Sequence, residues 1–218
     1  MIYNITYLNH AERVMKTEQE LFWEGHFGDE YISRNQSKEL LAANLYLFSE
    51  IFRRTGKLNS VLELGCNIGM NLTAIESICP EIKISGIDIN KKSLKLLKDK
   101  KQDYCLYNQS ILDKIEVDSA DLTFTKGVLI HINPDKLDNV YENLYEKSNK
   151  YILINEYYNP EPVMVSYRGH EDRLFKRDFC SELMSKYNNL TLIDYGFGYR
   201  NDPVFKQDDL TWFLLKKT

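Results

Sequence analysis

Apolar positions fall into two kinds of run that alternate along the chain. Short continuous runs are rich in β-branched and aromatic residues and bounded by turn residues; they cover Val61, Leu62 and Leu64, then residues 82–89, 120–126 and 151–156. Such runs predict strands buried on both faces, as in a parallel sheet. A further short strand is expected over residues 103–107. Between these runs, apolar residues recur at helical spacing in residues 70–78, in 91–101 through Leu94, Leu96 and Leu97, and from Pro134 to Lys147. Strand and helix in alternation imply a parallel sheet covered by helices on both sides. Beyond residue 156 the pattern predicts an irregular loop, a helix over 173–187, and a closing antiparallel hairpin from 190–195 and 211–216, seven strands in all.

Upstream of the first strand, Ser37 has the character of an N-cap for a helix carrying Leu40, Leu41, Leu45, Phe48, Ile51 and Phe52, ended by Gly56. Before it, residues 22–35 include Phe22, Trp23, Phe27 and Tyr31 with two glycines. A linker would be small and polar, so this segment is expected to be a packed loop or lid. No repeat, low-complexity tract or linker interrupts the chain. One domain is expected over 1–218, with 1–56 as an N-terminal helical cap and aromatic lid and 57–218 as the core.

Composition narrows the partners. The formal charge of −4 argues against a general nucleic-acid binder, which is usually basic. No run of about 18 apolar residues is long enough to span a bilayer. The first 16 residues lack the apolar core of a signal peptide, so a cytoplasmic protein is expected. Cys66, Cys79, Cys105 and Cys180 share no CxxC spacing, and His10, His26, His131 and His170 do not pair with them at metal-site spacing, so no metal is expected.

The candidate chemistry gathers at the strand ends, where open α/β sheets bind ligands. The first strand runs into Glu63-Leu64-Gly65-Cys66-Asn67-Ile68-Gly69, and the second ends at Asp88-Ile89. Gly65 and Gly69 stand where the backbone turns sharply and a ligand approaches closely. Asp88 stands about 20 residues past the glycines, where an acid can accept bonds from both ribose hydroxyls. Together they predict a nucleoside crevice. A dinucleotide fingerprint would need glycines at the third and sixth places, which here are Asn67 and Met70, so a pyrophosphate would meet a side chain.

The pattern Glu63-x-Gly65-x-x-x-Gly69 with Asp88 resembles the first motif of class I methyltransferases that use S-adenosylmethionine. That resemblance implies a Rossmann-like class I methyltransferase fold, with S-adenosylmethionine as cofactor and S-adenosylhomocysteine as product. Glu63, Gly65, Cys66, Asn67 and Gly69 would pass beneath the amino-acid part of the cofactor, Asp88 and Ile89 would hold the ribose, and Ser110 and Ile111 would meet the adenine. Lys126 and Gly127 would lie at the reacting end. The flanks, Glu20-Leu21-Phe22-Trp23-Glu24-Gly25-His26-Phe27-Gly28 through Arg34-Asn35, Asn155-Glu156-Tyr157-Tyr158-Asn159-Pro160, and Tyr167-Arg168-Gly169-His170 onward, are similar to the methylases associated with pseudaminic acid biosynthesis. This implies a small-molecule acceptor, a hydroxyl or amine of a nonulosonic acid or another surface-polysaccharide sugar or sugar nucleotide.

Methyl transfer needs acceptor and methyl aligned and close, with no metal and no covalent intermediate. A hydroxyl acceptor benefits from a base, for which His131 is the first choice and Glu156 and His170 the alternatives; His131 could instead bond only to backbone. Arg34 suits a cofactor carboxylate, and Trp23 and Tyr31 suit a sulfonium, unless the aromatics merely form a satellite cluster. Tyr157, Tyr158, Tyr167 and Arg168 form the expected acceptor region, fitted to an anionic sugar or sugar nucleotide. A protein acceptor, or a non-catalytic cofactor-binding relative, remains an alternative; either monomer or homodimer fits.

Overall fold

The structure, a computed structural model, describes residues 15–34, 36–167 and 170–218, with backbone alone for Tyr167 and residues 170–173. Two short helices, α1 (Glu18–Glu24) and α2 (His26–Tyr31), precede the long α3 (Lys38–Thr55). The core then alternates β1 (Ser60–Leu64), α4 (Met70–Ile78), β2 (Lys83–Asp88), α5 (Lys91–Lys100), β3 (Cys105–Asn108), β4 (Ala120–Lys126), α6 (Leu137–Glu146) and β5 (Ser148–Glu156). A hairpin, β6 (Val163–Tyr167) and β7 (His170–Lys176), leads to α7 (Phe179–Lys186), β8 (Leu190–Phe197) and β9 (Thr211–Lys217). Among these described helices none is long and apolar enough to cross a membrane.

The main sheet has seven strands in the order β3-β2-β1-β4-β5-β9-β8. β1 to β5 pair in parallel, and β9 runs antiparallel to both β5 and β8. This is the Rossmann-like arrangement expected. Alternation along each strand builds two cores. Val61, Phe124 and Leu153 meet Phe48 and Ile51 of α3, Leu72 of α4 and Leu94 of α5 on one face. Leu62, Leu64, Ile152 and Ile154 meet Val140 of α6 and Leu183 of α7 on the other.

Two regions differ from the pattern's prediction. Residues 173–176, expected to be helical, are the end of β7: Leu174 faces Val165, Phe175 faces Met164 and Lys176 faces Val163. Cross-strand pairing is a non-local contact that overrides a helical spacing. The helix begins only after Asp178, whose Oδ1 accepts the Ser181 amide at 2.9 Å. Residues 22–31, expected as a packed loop, are mostly helical. Thr17 and Glu20 cap α1 reciprocally, with Thr17 N–H to Glu20 Oε2 at 2.7 Å and Glu20 N–H to Thr17 Oγ1 at 3.2 Å. Gly25 ends α1 and opens α2. The expected Ser37 cap is present, accepting the Leu40 amide at 3.0 Å, and Gly56 closes α3.

Phe48 and Phe124 meet edge to face with centroids 5.4 Å apart, both fully buried. Phe124→Ala is expected to lower the unfolding free energy by about 3–5 kcal/mol, read from the midpoint shift in urea at unchanged slope.

Candidate functional site

The turn after β1 takes three left-handed residues, Gly65 (φ 83°), Asn67 (φ 48°) and Gly69 (φ 71°). Asparagine is among the few non-glycine residues that tolerate this region. A Cβ at Gly65 would come within 2.6 Å of Val128 Cγ2, so the loop is pressed directly against the segment after β4. Asp88 ties the turn to the next strand. Its Oδ2 accepts the Asn67 amide and its Oδ1 the Asn90 amide, each at 2.7 Å. The Ile89 amide also approaches the carboxylate, which still keeps acceptor capacity for a ligand. Burial pushes this carboxyl up to about 6, against the pull of the backbone amides.

Beside this turn a cavity of about 240 Å³ opens at the carboxyl ends of the parallel strands. It lies where the order switches across β1 between β2 and β4. Gly65, Cys66, Asn67, Asp88 and Ile89 line it, as do Ser110 and Ile111 past β3 and Lys126 and Gly127 at the tip of β4. Trp23 and Tyr31 of the N-terminal helices form its cover. His131 and Tyr157 complete the wall past β4 and β5. His131 is buried, and its ring centroid lies 4.7 Å from that of Trp23. Lys176 Nζ sits 5.0 Å from the centre of the Tyr157 ring.

Other expected site residues stand elsewhere. Glu63 is fully buried beneath the loop, where its Oε1 accepts Asn71 Nδ2–H at 2.6 Å. Gly69 caps α4 behind the cavity. Arg34 is exposed, its guanidinium 5.6 Å from the Phe27 ring and 5.9 Å from the Tyr31 ring, outside the cavity wall. Tyr158 is also exposed, 5.9 Å from Phe213, because alternation at the end of β5 turns it away from Tyr157. Arg168 and the side chains of Tyr167 and His170 lie outside the described residues.

Glu156 does not line the cavity. It is buried, and its carboxylate accepts the Val128 amide at 3.0 Å and the Ile130 amide at 3.5 Å. It is thus a brace for the loop that carries His131, with its acceptors committed to backbone. Burial pushes it up to about 7 despite those bonds.

Several lining residues carried no local signal. Glu20 reaches from α1 to accept the Ser110 hydroxyl, and Asn90 Nδ2 reaches back to Asp29 at 3.0 Å and to the Trp23 carbonyl at 3.3 Å, so the cover is fastened to the core. Asn44 comes from α3, and Gln207 and Asp208 from the connection between β8 and β9. Only the folded chain brings these to the first-strand loop.

Burial pushes the Glu63 carboxyl up to about 8, partly opposed by Asn71 and Lys126. Acids raised this way bind protons in the folded state at pH values where the unfolded chain has released them. Their stabilising protonation is complete below the ordinary carboxylate range and is lost as pH rises through about 7 and 8. The unliganded protein is therefore expected to lose stability between pH 6 and 8, and Glu63→Gln to flatten that slope, as measured by denaturant titrations across this range.

Residues 62–148 match the family model of a methyltransferase domain. No curated protein sequence matches the chain. Among solved structures, an S-adenosylmethionine-dependent methyltransferase from Clostridium acetobutylicum ATCC 824 superposes with a TM-score of 0.63 at 14% identity, over 88% of this chain and 97% of that one. Magnesium protoporphyrin IX methyltransferase from Synechocystis PCC 6803, solved with bound S-adenosylmethionine, gives 0.67 at 11% identity over 95% and 100%. Streptomyces venezuelae DesVI gives 0.62 at 12% over 88% and 97%. Residues 62–148 are thus similar to a methyltransferase domain, and the whole chain shares its fold with these solved methyltransferases.

Proposed function

We propose that the protein is an S-adenosylmethionine-dependent methyltransferase acting on a hydroxyl or amine of a small anionic sugar or sugar nucleotide, of the nonulosonic acid or surface-polysaccharide kind. The observation that carries the cofactor assignment is the half-buried Asp88 carboxylate facing the cavity beside the left-handed loop, with lone pairs to spare. The donor set fits that group. Asn67 Oδ1 and Glu63 Oε2 are buried at the loop without a hydrogen-bond partner, and Gly65 lets the loop lie directly against Val128 at the cavity wall.

S-adenosylmethionine supplies, when bound, a methyl group on a sulfonium whose leaving group is a neutral thioether. Asp88 accepts hydrogen bonds from the ribose hydroxyls, and Ser110 and Ile111 border the adenine. Trp23 and Tyr31 offer aromatic faces to a positive sulfur. α1 and α2 exclude water from the cavity. His131 takes the proton of an acceptor hydroxyl, its backbone held in place through the brace of Glu156 on the preceding loop. Tyr157 with Lys176 presents an aromatic and a cationic group for the acceptor.

The acceptor assignment rests on the flanking sequence and this Tyr157–Lys176 pair. The structural neighbours are named for different acceptors, magnesium protoporphyrin IX and plantazolicin among them. Acceptor choice therefore belongs to what surrounds the shared core, here the N-terminal cover and the β6–β7 hairpin.

Calorimetric titration is expected to show binding of S-adenosylhomocysteine and none of NAD. Because Asp88 must be ionised to accept two hydroxyls, affinity is expected to fall as pH drops through about 6, and Asp88→Asn to weaken binding and abolish that dependence. In a methyl-transfer screen over nucleotide-activated sugars, His131→Asn is expected to lower kcat by about 10²–10⁴-fold with cofactor affinity retained; an unchanged kcat on a hydroxyl acceptor would remove His131 as base.

A further inference from the structure

The two faces of the sheet end differently at the carboxyl tips of the strands. On the α6/α7 face the apolar rows continue into the reacting end: Leu129, Ile130 and Ile132 belong to that core, and Tyr157 packs on it. On the α3/α4 face the rows of Val61, Phe124 and Leu153 are followed, two residues on, by Glu63, Lys126 and Asn155. Lys126 and Asn155 thus stand side by side at the top of an apolar core, with Glu63 one step below them beside Phe124. Asn155 is buried with neither amide atom hydrogen-bonded, and Glu63 Oε2 is buried without a partner. Asn44 of α3, which lines the same cavity as Lys126, is 1% exposed and its Oδ1 is also unpartnered.

Lys126 is the cation of this layer. Its ammonium makes no hydrogen bond or ion pair with the described residues, although Glu63, Asp208 and Glu156 act on it through space. Among the described lining residues it is the one lysine or arginine of the cavity. Burial makes its charge costly, and an anion alongside would offset that cost. Asn44 lines the same cavity, and the exposed Asp208, also of its lining, lies close enough to act on Lys126 through space. A cation without a hydrogen-bonded partner, sharing one cavity with an unpaired amide oxygen and a carboxylate that can accept, is the complement of an α-amino acid, which carries one carboxylate and one ammonium on one carbon. The reacting end, with His131 and Tyr157, lies across the sheet tip on the other face, so this layer is separate from the acceptor wall.

We infer that Lys126 is the counter-ion of the α-carboxylate of the bound adenosyl amino acid, and that the Asn44 amide and Asp208 receive its α-ammonium. The inference rests on the cofactor reading above. It assigns the carboxylate to the tip of β4 in place of Arg34, whose guanidinium is outside the cavity wall. Two elements beyond the matched domain, α3 and the β8–β9 connection, then help to select the cofactor.

The test is calorimetric and needs no acceptor. Wild-type protein is titrated with S-adenosylhomocysteine and with its decarboxylated analogue, and Lys126→Met and Lys126→Arg with the same pair. Wild type is expected to prefer S-adenosylhomocysteine by roughly ten- to a hundredfold, the range of a charge-assisted hydrogen bond. Lys126→Met is expected to lose that preference by weakening S-adenosylhomocysteine alone, and Lys126→Arg to keep most of it. Absence of a preference in wild type, or a Lys126→Met variant that retains it or weakens both ligands equally, would overturn the inference. Failure of wild type to bind either ligand would instead sink the cofactor reading. The wild-type comparison decides even where Lys126→Met does not fold.

Discussion

One half-buried carboxylate joins the parts on which this site depends. Asp88 holds the Asn67 amide with one oxygen and the Asn90 amide with the other. The turn after β1 and the turn after β2 are therefore parts of a single hydrogen-bonded unit. That unit keeps Asn67 in a left-handed conformation, costly for most side chains, and sets Gly65 hard against Val128. Asn90, fixed by the same bond, reaches out to Asp29 and Trp23 and so positions the aromatic cover. Loop, strand tip and cover are mechanically one piece.

A second carboxylate repeats the device at the segment that carries His131. Glu156, at the end of β5, reaches over the tip of β4 and accepts backbone amides of the segment carrying His131. Both acids sit at strand ends where backbone leaves the sheet and its N–H groups lose their ladder partners. Burying a carboxylate to satisfy them raises its pKa, so positioning and proton affinity are coupled in this fold. The glycine turn, the β4 loop and the cover are thereby held by polar bonds at the one edge where the apolar core stops.

That edge is also where the two faces separate in character. The α6/α7 side stays apolar up to the segment that carries His131, and the α3/α4 side turns polar at Glu63, Lys126 and Asn155. A sulfonium with an amino acid on one arm and a methyl on another needs such asymmetry: a charged seat for one and a drier wall for the other. The parallel core carries the polar floor of the cavity, whereas α1 and α2 cover it.

Much of the fold was legible because buried parallel strands write themselves as short apolar runs and covering helices as 3.6-residue periods. Gly65 and Gly69 were legible because a left-handed backbone tightly restricts residue type there, and Asp88 because it ends a buried strand beside them. What failed was decided by distance along the chain. Residues 173–176 look helical until Val163, Met164 and Val165 pair with them, and Arg34 looks like a carboxylate clamp until Phe27 and Tyr31 take its guanidinium. Glu156 reads as a base until the amides of Val128 and Ile130 claim it. Sequence alone determined the parallel core, its glycine turn and the acid that faces it, since local geometry constrains those residues. Tertiary structure alone decided that Glu20, Asn44 and Asp208 join Lys126 and His131 around one cavity, because contacts between segments up to about 160 positions apart leave no periodic trace in either of them.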